Sequence, residues 1–234
     1  RKGGFPELSL VRNERDYIDE LVRNILQRDI EQRFKVKHVT SFEEMSQHLL
    51  NIAPAIVVDK KLKEAFGFGS QHTAKNYVGY LKQAYLLVGL HKYSPKSQQR
   101  LTADKIYPID VSLMNRRSDA FSGENFGWRL ETIVYLELLR RYKSQGFDIY
   151  YFSERSGECD FVICEGRKAV VAIQVSYDIS NEKTRKREIS GLLLAAKKTG
   201  CKNLFLLTDH SYEDIETEDY KIAVRPVFDY LLNE

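Results

Sequence analysis

Three apolar stretches separated by turn residues lie between two amphipathic helical stretches, and this order constrains the fold more than any other feature of the chain. The apolar stretches run from about Asp148 to Ser153, Glu158 to Cys164 and Ala169 to Ser176. Before them, Asn125 to Tyr142 carries Phe126, Leu130, Ile133, Val134, Leu136, Leu138 and Leu139 at helical spacing, mostly on one face. After them, about Asn181 to Lys198 is basic at its start and apolar from Leu192 to Ala196. "NLFLLTD" (Asn203 to Asp209) then reads as a buried strand, "KIAVRPV" as another, and "FDYLLNE" as a short final helix. An α-β-β-β-α-β order predicts a mixed α/β fold with a three-layer core, since each sheet face must bury its apolar side chains against something. Acidic "HSYEDIETEDY" (His210 to Tyr220) reads as an exposed loop.

The preceding half is helical. "ERDYIDELVRNILQRDIEQRF" (Glu14 to Phe34) predicts one long helix with Tyr17, Ile18, Leu21, Val22, Ile25, Leu26 and Ile30 in a stripe. Ser41 and Glu44 have capping-box spacing, which predicts a helix start at Ser41. A third helix is expected over Ala55 to Phe66, then a turn at Gly67 and Gly69, then a helix from Ser70 to about Gln83. "AYLLVGLHKY" and "KIYPID" read as two strands. Helices, a tight turn, a polar-faced helix and a two-strand ribbon together describe a winged helix. The expected organisation is a helical and winged-helix module over 1–115 and an α/β domain over 116–234.

Composition narrows the function classes. Net charge is +3, from 36 Lys and Arg against 33 Asp and Glu, too little to argue nucleic-acid binding from bulk charge. The three cysteines form no Cys-x-x-Cys pair, which argues against a disulfide scaffold or a structural zinc site and fits a reducing, cytoplasmic location. No apolar run is long enough to cross a bilayer, so no membrane partner is expected. The chain opens on "RKGGFPE" without Met and reads as a fragment or a processed protein. No Gly-x-x-x-x-Gly-Lys-Ser/Thr string is present, so ATPase activity is not expected of this chain.

The chemistry concentrates in the hairpin from Gly157 to Ser176. Metal-dependent phosphodiester cleavage needs carboxylates converging on Mg²⁺ or Mn²⁺, with a cation to offset transition-state charge. Residues i and i+2 of a strand share a face, so a Glu-x-Lys on one strand points both groups at an Asp on its neighbour. Asp160 stands in the Asp slot; Gln174 and Ser176 stand in the Glu and Lys slots. Gln keeps an oxygen ligand without the charge, and Ser supplies no cation. Glu131 or Glu158 would add a carboxylate. The simpler reading is that Asp160 and Gln174 form a hydrogen-bonded polar pair at a sheet end.

Two further clusters are candidates for nucleic-acid contact. Ser70, Gln71, His72, Thr73, Lys75 and Asn76 occupy the early turns of the helix after the Gly turn, where phosphates and base edges are read. Lys183, Arg185, Lys186 and Arg187 begin the basic helix. The competing reading is a solvated face in which Glu182 and Glu188 make local ion pairs.

Taken in order, "GGFPE", "RDI", "GFGSQHTAKNYVGYLKQAYLL", "KIYPIDVSL", "GENFGWRLETIVYLELLRR", "GECDFVI", "IQVSYD" and "TRKRE" resemble the C-terminal half of a prokaryotic family of predicted AAA-type ATPases. In that family an ATPase module precedes a winged helix and a PD-(D/E)XK nuclease-like domain. The resemblance implies that Glu131 is the acidic residue of the first core helix and Asp160 the motif Asp. It aligns Gln174 and Ser176 with the Glu and Lys positions, from which both depart. Lys183, Lys186 or Arg187 would have to supply the missing cation. The expected function is nucleic-acid binding, with DNA as partner, around a degenerate metal-dependent nuclease site in which Asp160 and Gln174 would hold Mg²⁺ or Mn²⁺. The alternative is a non-catalytic module docking to the ATPase half or to partner proteins, with oligomerisation open.

Overall fold

The structure, a computed structural model, describes residues 3–94, 104–116 and 126–233. They divide into two compact units, one of residues 3–89 with 104–116, the other of 90–94 with 126–233.

In the first unit, α1 (Glu14–Asn24) is capped by Asn13, whose Oδ1 accepts from the Arg15 and Asp16 amides. It continues as a π-helical stretch, Ile25–Glu31, into α2 (Gln32–Phe34), which stops at Lys35 with φ of 50°. The buried residues Ile18, Val22, Leu26 and Ile30 recur every four positions. Each such step overshoots a 3.6-residue turn, so a pure α-helix would rotate the stripe out of the core; the wider π stretch turns it back. Next, α3 (Val39–Ile52) buries Phe42, Met45, Leu49 and Leu50. It starts earlier than its capping-box spacing predicts: the Phe42 amide bonds to the His38 carbonyl, so Ser41 lies inside the first turn and caps nothing.

Ala55 does not open a helix. Ala55–Ile56 form β1, and the Val57 amide bonds to the Asp104 carbonyl at 2.9 Å. The β-branched run Ile56-Val57-Val58 favours this extended path. The helix α4 (Asp59–Phe66) follows, ended by Gly67 at φ of 68°, which only glycine adopts without strain. Then come α5 (Gln71–Gln83), β2 (Leu87–Lys92) and β3 (Asp104–Pro108). Strand β1 pairs antiparallel with β3, Ala55 opposite Ile106.

The second unit follows the expected order: α6 (Phe126–Tyr142), β4 (Asp148–Glu154), β5 (Gly157–Glu165), β6 (Lys168–Val175), α7 (Glu182–Thr199) and β7 (Leu204–Thr208). The acidic stretch read as a loop contains β8 (Glu213–Glu216), an edge strand antiparallel to β9 (Lys221–Pro226); α8 (Val227–Asn233) closes the unit. The sheet is mixed, in the order β4-β5-β6-β7-β9-β8. The three strands β4, β5 and β6 are antiparallel, while β6, β7 and β9 run parallel. His91 and Lys92 pair in parallel with Tyr150 and Tyr151, so Leu90–Ser94 group with this unit, although the sequence assigned them to the first module.

Tyr135 of α6 stacks on Phe161 of β5 at 5.7 Å. Leu192, Ala195 and Ala196 of α7 share a cluster with Cys159, Val162, Cys164 and Cys201. All three cysteines are buried and free.

Candidate functional site

The site begins with an irregularity in β5. Tyr150 pairs with Val162 and Phe152 with Cys159, so Asp160 and Phe161 together stand opposite the single residue Tyr151. That two-against-one count is a β-bulge, a device that re-aims side chains. It lets Cys159 and Val162 both join the α7-side cluster while Phe161 stacks on α6.

Next to the bulge the β5–β6 pairing changes character. The regular register ends at Phe161 opposite Ile173. One step further, backbone amides are met by side chains. The Asp160 amide donates to Gln174 Oε1 at 3.2 Å, and the Val175 amide donates to Asp160 Oδ2 at 3.0 Å. Gln174 Nε2 then donates to Glu188 Oε2 of α7 at 2.8 Å. Arg187 completes the chain, donating to Glu188 Oε1 through Nε at 3.1 Å and also through Nη2. Gln174 is 3% exposed, and Asp160 and Glu188 are also buried.

The electrostatics follow from this burial. Desolvation, reinforced by the Asp160 charge, pushes the Glu188 carboxyl above its ordinary range, with Arg187 and Gln174 pulling it partly back. Arg187 is held protonated chiefly by Glu188, with added field from Glu158 and Asp160. Ser176 is buried, and its hydroxyl donates to the Asp178 carbonyl at 3.4 Å. Glu131 is buried on α6.

This arrangement does not fit Mg²⁺ or Mn²⁺. Asp160 Oδ2 and Gln174 Oε1 already accept backbone amides, and the Gln174 amide nitrogen, a donor, faces the only other carboxylate in the chain of bonds. Hard cations need several converging oxygens. Among the described residues, no group of three or more His, Cys, Asp or Glu side chains is placed to hold a metal ion.

The basic start of α7 is largely neutralised within the fold. Arg185 forks onto Glu213 at 2.5 and 2.8 Å, Lys186 pairs with Glu182 at 2.6 Å, and Arg187 pairs with Glu188. Lys183 makes no ion pair among the described residues. Asn181 Oδ1 accepts from the Lys183 and Thr184 amides and so caps the helix. On α5, Ser70 serves as the N-cap, accepting from the Thr73 amide at 3.1 Å and lying 3.0 Å from the Thr73 hydroxyl. Gln71, His72 and Lys75 are exposed on that helix, and Asn76 is half-buried.

Residues 1–123 match the family model described as a domain of unknown function, DUF8612. The chain belongs to the DUF8612 family. Residues 126–226 match a second model, the domain of unknown function DUF4143. The chain is 32% identical over 228 residues to the uncharacterized protein MJ1544 of Methanocaldococcus jannaschii, covering 93% of this chain and 50% of that protein. It is 27% identical over 238 residues to an uncharacterized protein of Haemophilus influenzae, covering 98% of this chain and 56% of that one. The chain thus spans about half the length of these curated relatives. No solved structure matches it.

The DUF8612 segment contains α5 with its exposed polar side chains, and the DUF4143 segment contains the Asp160–Gln174–Glu188–Arg187 chain of bonds. What sequence spacing alone did not supply is the bond from Gln174 to Glu188. Its one trace in the sequence is an acidic residue, Glu188, closing an otherwise basic helical turn.

Proposed function

We propose that this chain is the C-terminal region of an AAA-type ATPase in which a nuclease-like domain engages nucleic acid without cutting it. The observation that carries the reading is the Gln174 amide, which spans from the Asp160 backbone to the Glu188 carboxylate where a cutting site would present open oxygen ligands. An antiparallel β4-β5-β6 meander between α6 and α7, with β7 parallel to β6, supports the PD-(D/E)XK-like assignment. In the other unit, the order α3-β1-α4-α5-β2-β3, with β1 antiparallel to β3, supports a winged helix whose α5 presents Gln71, His72 and Lys75 to DNA. The additional length of the relatives is consistent with an ATPase module elsewhere in the full protein. Among the described residues no helix is long and apolar enough to cross a membrane, in keeping with a cytoplasmic assignment.

A second reading, a protein-interaction module, is favoured by one specific observation: three of the four leading cations of α7 are paired to carboxylates of the same unit. One experiment separates the two. Duplex DNA binding by the purified chain is measured from low to moderate salt, with cleavage followed in Mg²⁺ and Mn²⁺. The proposal expects salt-dependent binding, weakened in Gln71→Ala/His72→Ala/Lys75→Ala, and no cleavage above that of Asp160→Ala. Absence of binding at low salt would leave the interaction module; cleavage abolished by Asp160→Ala would make the chain a nuclease.

A further inference from the structure

We propose that Arg187 is the resident cation of the Asp160 site: its guanidinium does the neutralising that a divalent ion does in a cutting nuclease, and it keeps such an ion out. The inference rests on the nuclease-like reading of the second unit.

Asp160 and Glu188 are buried carboxylates on different elements, and the Gln174 amide bonds the backbone N–H of the first and the carboxylate of the second. Buried negative charges need a nearby positive one, because the interior cannot screen them. Arg187 meets that need in an unusual way. Adjacent residues of a helix do not face each other, yet Arg187 folds its long side chain back to make two hydrogen bonds to its neighbour Glu188. Its side chain is 74% exposed, so packing does not hold it there; the carboxylate does. Glu158 and Asp160 add to the field that keeps it charged. Gln in place of Glu at 174 removes one negative charge, so a single guanidinium has less charge to neutralise here than a divalent ion has in a cutting site.

The test is Mn²⁺ binding to the purified chain, followed by calorimetry and by electron paramagnetic resonance of the free ion. The unmodified protein is expected to bind no stoichiometric Mn²⁺ at millimolar concentration, and Arg187→Lys to behave likewise. Arg187→Ala/Gln174→Glu is expected to bind one Mn²⁺ per chain at least tenfold more tightly than Gln174→Glu alone, and to lose it on addition of Asp160→Asn. A gain below tenfold, or a gain that survives Asp160→Asn, overturns the proposal. If the double variant is unfolded alone and folds cooperatively on adding Mn²⁺, the proposal stands; if it stays unfolded with Mn²⁺, the proposal falls. DNA cleavage measured on the same samples keeps the two ideas apart. Cutting by the unmodified protein defeats the non-cutting reading, whereas an inert unmodified protein with no Mn²⁺ gain in the variant defeats only the role of Arg187.

Discussion

Gly191, in the middle of α7, lies directly against the backbone of Glu158 in β5. A Cβ at Gly191 would stand well inside contact distance of the Glu158 carbonyl oxygen, and one at Gly157 would meet the Gly191 Cα at 3.2 Å. Two backbones touch here with no side chain between them. This close approach seats the helix turn that carries Glu188, three residues earlier, beside the end of β6.

Gly191→Ala is therefore expected to destabilise the protein by about 3 kcal/mol, at the upper end of overpacking costs, despite alanine's better helix propensity. Gly79→Ala, within α5 where nothing lies within 4 Å of the added carbon, is expected to stabilise by about 0.5–1 kcal/mol. Urea denaturation of both variants measures the contrast; similar effects in the two would remove the close-approach argument.

Gln174→Leu would leave the Asp160 amide and the Glu188 carboxylate without their shared partner. Each unsatisfied buried group costs about 1–3 kcal/mol, so a loss of about 2–6 kcal/mol is expected. Hydrogen exchange should show the Asp160 amide losing protection while the Phe161 and Val162 amides keep theirs. A near-neutral substitution would mean the network carries no stability.

Glu188 makes stability pH-dependent. Its folded pKa lies above the unfolded one, chiefly through burial. Its contribution is then fully present below the ordinary glutamate range and is lost as pH rises through the raised folded value. Melting temperatures from pH 4 to 8 should fall with rising pH by more in the unmodified protein than in Glu188→Gln, which cannot ionise. Parallel curves would contradict the assignment.

Glu213→Ala releases Arg185 from its fork. Both side chains are about one-third exposed, so the stability cost should stay below about 1 kcal/mol. If α7 meets phosphate, DNA affinity rises severalfold and the salt dependence steepens. Unchanged affinity would assign the basic turn to structure alone.

Local pattern made most of the second unit legible. The α6, β4, β5, β6, α7 and β7 elements follow from apolar periodicity because each buries a face that its own sequence marks. What escaped was set by partners outside the stretch itself. Nothing in the Glu213–Glu216 composition marks it as a strand; it pairs because β9 offers an edge. Ala55–Ile56 became a strand because β3 lies beside it. The π stretch leaves only a subtle trace, four apolar residues at a spacing of four. At the site, Asp160 and Gln174 were visible as a polar pair, and Glu188 only as a local ion-pair partner on its own helix. The bulge at Asp160 and the backbone amides that Gln174 Oε1 and Asp160 Oδ2 accept depend on register and rotamer, which spacing does not encode.

The three cysteines have a use beyond packing. Cys159, Cys164 and Cys201 all belong to the second unit's core, and the chain has no others. Burial raises the thiol pKa of Cys159 and Cys201 and hides both from solvent. A thiol reagent needs access and a thiolate, so it reacts only when this core opens. The rate of modification by a small disulfide is thus a built-in clock for opening of the α/β unit. With Cys159 one residue from Asp160, that clock also times the loosening of the strand that holds the site.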